Sequence, residues 1–349
     1  MNNNSTFNTL PEWHSQDAVI LVWPHKNSDW APRLSIINNT YITLTRTISR
    51  FEKVIIIAQD DEHIESIQHL CVQANCHLDR CQFYIIPSND TWVRDYGPQT
   101  VWNGQHLCYL DFAFNAWGGQ YAFQHDQQFT QHLLDHLHLG SQRHSQEMIL
   151  EGGNLDFNQQ GDLLTNLRSS QTNSQYQNND EIIRHLKNVF SPRHLLALDL
   201  PPLLGDDTGG HIDTLARFIN DDTIVYASCD DPHQANHSIL QQLKQQLEQQ
   251  CQKHQSTHNT AYKILPMTMP NKTFKNIHGE LCPASYVNFC FINEAILVPQ
   301  YDDENDADAI QLLQQQLPMK KVIGINALAL IEQFGSLHCA TLHLPKGSL

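Results

Sequence analysis

Ala18-Val19-Ile20-Leu21-Val22-Trp23 and Val54-Ile55-Ile56-Ile57-Ala58 are two unbroken apolar runs, β-branched and bounded by polar residues. Each has the length of a strand and is far too short to span a bilayer. Residues 34–50 between them and 62–73 after them carry apolar side chains at helical spacing. Strand and helix therefore alternate here. Further strands are expected over 83–86, 107–110, 148–150, 163–165, 195–200, 223–226, 287–291, 295–298 and 322–325. Further helices are expected over 128–138, 181–189, 235–254 and 306–317, and in the long one Ile239, Leu240, Leu243 and Leu247 share a face. The class is α/β.

No Pro/Gly/Ser linker and no fixed-period repeat divides the chain, so residues 1–349 read as a single domain with a disordered tail over 1–9. Residues 169–180 are rich in Gln and Asn and read as a mobile loop. Lys plus Arg number 21 against 37 Asp plus Glu, a net charge of −16, which argues against nucleic acid as a partner. The same acidity suits a small cationic substrate, or simply solubility. No signal or membrane segment is visible, so a cytoplasmic protein is expected. Nine Cys form no C-x-x-C pair, and Cys71, Cys76 and Cys81, five apart, match no zinc pattern. Reduced buried thiols are the expectation, with one of the nine a candidate nucleophile.

Five segments concentrate reactive side chains. Asp90-Thr91-Trp92-Val93-Arg94-Asp95-Tyr96-Gly97-Pro98 lies on a loop at a strand end. Glu151-Gly152-Gly153-Asn154 follows a strand, and its paired glycines permit close approach of backbone or ligand. In Gly210-His211-Ile212-Asp213, His211 and Asp213 are two apart, which in an extended segment puts both on one face as an acid/base and cation-binding pair. Phe114-Asn115-Ala116-Trp117-Gly118-Gly119 has the make-up of a pocket-lining loop, and Gly335-Ser336-Leu337-His338-Cys339 presents a thiol near the C-terminus. Taken singly, each also reads as a surface turn or a packed structural residue. A Cys, a His and three carboxylates beside glycines or on strand-end loops are together the groups needed for nucleophilic attack on a guanidinium.

The set resembles the agmatine deiminase family, which is similar to the bacterial peptidyl-arginine deiminases and belongs to the guanidine-modifying pentein superfamily. The resemblance runs through Leu10-Pro11-Glu12-Trp13, Val22-Trp23-Pro24-His25, the 92–98, 114–119, 151–154 and 210–213 stretches, Pro283-Ala284-Ser285-Tyr286-Val287-Asn288-Phe289 and His338-Cys339. It implies a five-bladed α/β propeller, the pentein fold, built of pseudo-fivefold repeated β-β-α-β modules. It implies Cys339 as nucleophile, His211 as general acid/base, Asp95 and Asp213 as guanidinium-holding carboxylates and Glu151 as the glutamate beside the histidine. Trp92 becomes an aromatic wall and Asp207 an acid near a distal amine, with Trp117 and Arg94 as further substrate-binding candidates. Agmatine is the implied substrate, turned into N-carbamoylputrescine and ammonia with no metal and no cofactor, and a homo-oligomer is left open. Peptidyl-arginine or free arginine with the same chemistry, and a guanidine-binding protein of weak activity, are the alternatives.

Overall fold

The pairing of Lys53–Ala58 explains why its apolar run lacks polar alternation. This strand lies between Gln16–Val22 and Cys81–Ile85, parallel to both. Both faces are covered, and every residue from Val54 to Ala58 is 0% exposed. Each isoleucine buried there stabilises the fold by about 1.5–3 kcal/mol relative to exposure. The helices Leu34–Ile48 and Asp61–Gln73 make the two crossovers. Asp60 starts the second by accepting the His63 N–H at 2.8 Å, satisfying one of the amides a helix leaves unpaired at its start. A computed structural model describes residues 7–176, 178–258 and 261–349.

Among the described residues there are six sheets, and five repeat one pattern: an antiparallel pair extended by a parallel strand after a helical crossover. The first joins Gln99–Trp102, Leu107–Ala113 and Arg143–Ile149. The second joins Asp156–Phe157, Leu163–Asn166 and Leu195–Leu198, and the third Ala216–Phe218, Thr223–Ser228 and Lys263–Thr268. Cys290–Phe291, Ala295–Gln300 and Lys321–Asn326 form the fourth. In the fifth, the antiparallel partner of Gln16–Val22 comes from the opposite end of the chain: Leu342 lies opposite Ile20 and Leu344 opposite Ala18. The architecture is mixed α/β, and its N-terminal unit is completed by the C-terminal strand.

Three local expectations change. Residues 1–6 lie outside the described residues, but Asn8 and Thr9 pair with Trp102 and Val101 and are not a loose tail. The segment expected as a loop over 169–180 contains most of the helix Leu167–Asn173, with Ser169, Ser170 and Asn173 buried. A low apolar content does not prevent burial where amides and hydroxyls find partners, as Asn173 does. From Asn179 another helix runs to Phe190, capped by Asn178, which accepts the Glu181 N–H at 3.1 Å; Gln177 is outside the described residues. Finally, only Cys290–Phe291 of the strand expected over 287–291 is strand.

Candidate active site

A single turn precedes the first strand of each repeated sheet, and these turns carry the reactive side chains. Val93–Tyr96 leads into Gln99–Trp102, Gly152–Asn154 into Asp156–Phe157, and Ile212–Leu215 into Ala216–Phe218. Asn288 precedes Cys290–Phe291, and Cys339 precedes Leu342–Pro345. Asp95, Glu151, His211, Asp213, Asn288 and Cys339 are each at most 6% exposed. Three of these turns supply the cluster that surrounds His211. Its Nε2 lies 3.2 Å from Glu151 Oε2, and its Nδ1 is 3.5 Å from Asp95 Oδ1. Asp213 does not share an extended face with His211: the latter sits at the N-cap of the one-turn helix that carries Asp213. The backbone turn, and not strand alternation, brings the two charges close.

Asp95 is held from two sides. Its Oδ1 accepts the Gly153 N–H at 2.8 Å, and its Oδ2 accepts Trp117 Nε1–H at 2.9 Å. Only glycine permits the first bond, because a Cβ at 153 would stand 2.6 Å from Asp95 Oδ1 and 2.7 Å from His211 Nδ1. Trp117 reaches Asp95 from a left-handed backbone, φ 52° and ψ 51°, at a cost of about 1–3 kcal/mol in local strain. Phe114 packs edge-on against it with ring centroids 5.4 Å apart. Glu151 Oε2 also accepts from Asn173 Nδ2 at 2.9 Å.

Cys339 Sγ is 3.6 Å from Asp213 Oδ2 and receives Asn288 Nδ2–H at 3.2 Å. Asp213 Oδ2 is also 2.7 Å from His338 Nδ1. Among the described residues, Asp213 Oδ1, Glu151 Oε1 and His211 Nδ1 are buried with no hydrogen-bond partner. Each such atom costs about 1–3 kcal/mol unless a ligand satisfies it.

The charges interlock. Burial pushes the Asp95 carboxyl up to about 6, helped by Asp213 and Glu151 and opposed by His211. Burial alone would push His211 down, but Asp95, Glu151 and Asp213 outweigh it and hold the ring at about 10. Asp213 is likewise pushed up by burial, yet its hydrogen bond and charge pairing with His338 bring it below the usual carboxylate value. Burial and the neighbouring Asp213 and Asp95 push the Cys339 thiol well up. A cation placed between the two aspartates would reverse that last effect.

An open cavity of about 770 Å³ adjoins this cluster, with Trp92, Trp117, Tyr121, Asp90, Asp207 and Glu280 among its lining residues. Gly335 packs so closely on Trp92 that a Cβ there would lie 2.3 Å from the indole ring. Asp207 accepts from Tyr121 Oη–H at 3.0 Å, and burial with the charge of Asp206 pushes its carboxyl up to about 7. Arg33 is the arginine on this lining, and its Nε donates to Glu332 at 2.6 Å. Arg94 turns away from the cavity: its guanidinium donates to His343 Nδ1 at 2.8 Å and to the His338 carbonyl at 3.4 Å. It does not form a turn salt bridge with Asp95.

One group of potential metal ligands occurs among the described residues, Glu12, Cys290 and His343. Because Arg94 donates to His343 Nδ1, the neutral ring carries its proton on Nε2, which faces Cys290 Sγ at 3.3 Å. That proton occupies the nitrogen a metal would need, so the trio reads as a hydrogen-bonded cluster.

The structure brings Cys339, His211, Asp95, Asp213 and Glu151 together and sets Trp92, Trp117 and Asp207 on the adjoining cavity. Four further residues touch this machinery without having been singled out: Glu12, Asn173, Asn288 and His338. Glu12, Asn288 and His338 lie in stretches that carry the family resemblance, and adjacency to Cys339 was the available signal for His338. Asn173 had none, because it sat in a segment read as loop.

Solved structures share this arrangement of the chain. A cysteine-to-serine variant of C. jejuni agmatine deiminase with substrate bound is 32% identical, with 98% of this chain and 97% of that one covered at a TM-score of 0.89. Agmatine deiminase of Enterococcus faecalis shares the fold at 23% identity, 97% and 96% coverage and a TM-score of 0.85. A DDAH from Pseudomonas aeruginosa complexed with citrulline shares the fold more distantly, at 11% identity, 95% and 100% coverage and a TM-score of 0.51. Residues 8–345 match the model of the Porphyromonas-type peptidyl-arginine deiminases, and the chain belongs to that family.

Proposed function

We propose that this protein is an agmatine deiminase, hydrolysing the guanidinium of agmatine to N-carbamoylputrescine and ammonia as a step of putrescine and polyamine biosynthesis. The observation that carries the reading is a buried thiol beside Asp213, with Asp95, His211 and Glu151 close by, next to an acidic cavity. A guanidinium stays charged at physiological pH and offers five N–H donors in a fixed fork. Asp95 and Asp213 hold that fork and turn its central carbon toward Cys339. The arriving cation neutralises the two carboxylates that keep the thiol protonated, so the thiol releases its proton to solvent through the open cavity as the substrate seats. Attack on carbon gives a tetrahedral adduct. His211, which starts as an imidazolium, gives its proton to the departing nitrogen, and ammonia leaves an S-alkylthiouronium on Cys339. His211, now neutral, takes a proton from water, which attacks the same carbon; the C–S bond breaks, the hydroxyl proton of the adduct passes to sulfur, and the ureido product departs.

Agmatine has a second cation and no carboxylate. Asp207 serves its distal amine, and Trp92 and Trp117 wall the pocket. The cavity arginine is engaged by Glu332, which disfavours free arginine. The cavity volume of about 770 Å³ also admits a larger guanidine, which keeps peptidyl-arginine as the second reading. The five repeated sheets, each preceded by a site-bearing turn, support a single catalytic domain whose five modules close around a pseudo-fivefold axis. No helix among the described residues is long and apolar enough to cross a membrane, consistent with the cytoplasmic setting we infer.

The test is ammonia release from agmatine, free arginine and a blocked arginine peptide. Turnover of agmatine, lost by about a thousandfold or more in Cys339→Ser with the fold retained, is expected. Full activity of that variant would remove Cys339 from the mechanism, and turnover of the peptide alone would reassign the substrate.

A further inference from the structure

Behind the reactive side chains lies a second buried cluster that the steps above leave without a task. His338, the neighbour of the nucleophile, has Nδ1 2.7 Å from Asp213 Oδ2 and Nε2 2.6 Å from Glu12 Oε2. Glu12 belongs to the N-terminal segment and is brought here by the pairing of the chain ends. It already receives two donors, Phe291 N–H at 2.7 Å on Oε1 and Arg217 Nη2–H at 2.6 Å on Oε2. A carboxylate oxygen only accepts, so a ring meeting one at each nitrogen must carry hydrogen on both.

The surrounding charges agree. Arg217 also donates to Asp156 at 2.7 Å, and Arg94 stands 3.8 Å from Glu12. Three carboxylates, Glu12, Asp156 and Asp213, thus face two guanidiniums. His343 lies 3.9 Å from Glu12, but it takes a hydrogen from Arg94 and burial pushes it down to about 3, so it adds no charge. On the far side of Asp213 stand Cys339, His211 and Asp95, where the one positive charge of His211 is shared among Asp95, Glu151 and Asp213. His338 is the group placed to supply the missing positive charge.

We infer that His338 is a standing imidazolium, fixed by Glu12 and Arg217, that keeps Asp213 anionic and aimed at the substrate guanidinium. It is a positioning residue and acts through Asp213. Without it, this fully buried carboxylate would keep only the charges of His211 and Arg217 to hold it ionised, its pKa would rise, and one acceptor of the guanidinium would weaken. The inference rests on the deiminase reading for its consequence, but the protonation of His338 can be read independently.

Two measurements test it. In the wild-type protein with 15N-labelled histidine, the His338 ring, identified by its absence from the His338→Gln spectrum, is expected to show both nitrogens protonated at pH 7.5. A neutral ring with one bare nitrogen would overturn the inference. Second, agmatine binding to Cys339→Ser is measured by calorimetry from pH 5.5 to 8.5, with and without His338→Gln. The added substitution is expected to move the acid midpoint of binding up by about one unit or more, the size of shift an adjacent opposite charge produces. Equal weakening at every pH with an unmoved midpoint is what a merely structural His338 would give, and would overturn it. Absence of agmatine binding to Cys339→Ser at any pH would count against the deiminase reading, leaving the ring protonation to decide the role of His338.

Discussion

Trp117→Phe removes the indole N–H from the site, along with the volume of one ring, and leaves an aromatic side chain in its place. The ring still packs on Phe114, and the left-handed backbone at 117 is equally strained for either aromatic residue. What disappears is the 2.9 Å bond from Nε1–H to Asp95 Oδ2. That oxygen becomes a buried acceptor without its donor, which for a charged group is worth about 1.5–3 kcal/mol. At 1.36 kcal/mol per unit, the loss raises the Asp95 carboxyl by about one to two units. It starts at about 6, pushed there by burial, and the indole bond is among the influences that hold it down. The acid limb of kcat/KM for agmatine should therefore move upward by about one to two units. At pH 6 the ionised fraction of Asp95, and with it activity, falls roughly 5- to 50-fold below wild type, while at pH 9 the two enzymes converge. The assay is ammonia release across pH 5 to 9.5, with thermal unfolding as the check on folding. An activity loss of the same factor at every pH would refute the reasoning, because it would mean Trp117 acts by shape and not through the Asp95 charge.

Gly335→Ala should destabilise the protein by about 1–3 kcal/mol and depress kcat, since its methyl would stand 2.3 Å from the Trp92 ring; an unchanged urea midpoint would show that the loop yields freely. Asp207→Asn should raise KM for agmatine about tenfold with little change in kcat, and should spare a pentylguanidine that lacks the distal amine. Equal losses on both substrates would remove Asp207 from amine recognition. His211 is raised from 6.5 to about 10, so its stabilising contribution is fully present below pH 6.5 and lost as pH rises through 10. Wild type should lose more stability between pH 7 and 10 than His211→Gln in parallel urea titrations; parallel curves would mean the ring is not charged in the folded state.

Strands and helices were legible because burial periodicity is a local property of the chain. The run 54–58 is apolar throughout because parallel neighbours cover both faces, and its length alone marked it as a strand. Short elements were less legible. Ala216–Phe218 and Leu342–Pro345 are three and four residues long, too short for a period to declare itself. Residues 169–180 misled for another reason: their polarity suggested solvent, whereas Asn173 spends its amide on Glu151 and the Thr208 carbonyl inside the protein.

Sequence by itself determined the α/β class, the acidic character suited to a cationic ligand and, through several ordered stretches, the family and the residues expected to react. It could not decide how those residues meet. Cys339 and Asp213 are 126 positions apart, and His338 and Glu12 are 326 apart. Their contact depends on the C-terminal strand pairing with the N-terminal one, and no local pattern encodes which strand edges will join. Protonation was equally out of reach. Asp95 at about 6 and His211 at about 10 are set by burial and by each other's charge, both of which exist only once the turns have been brought together.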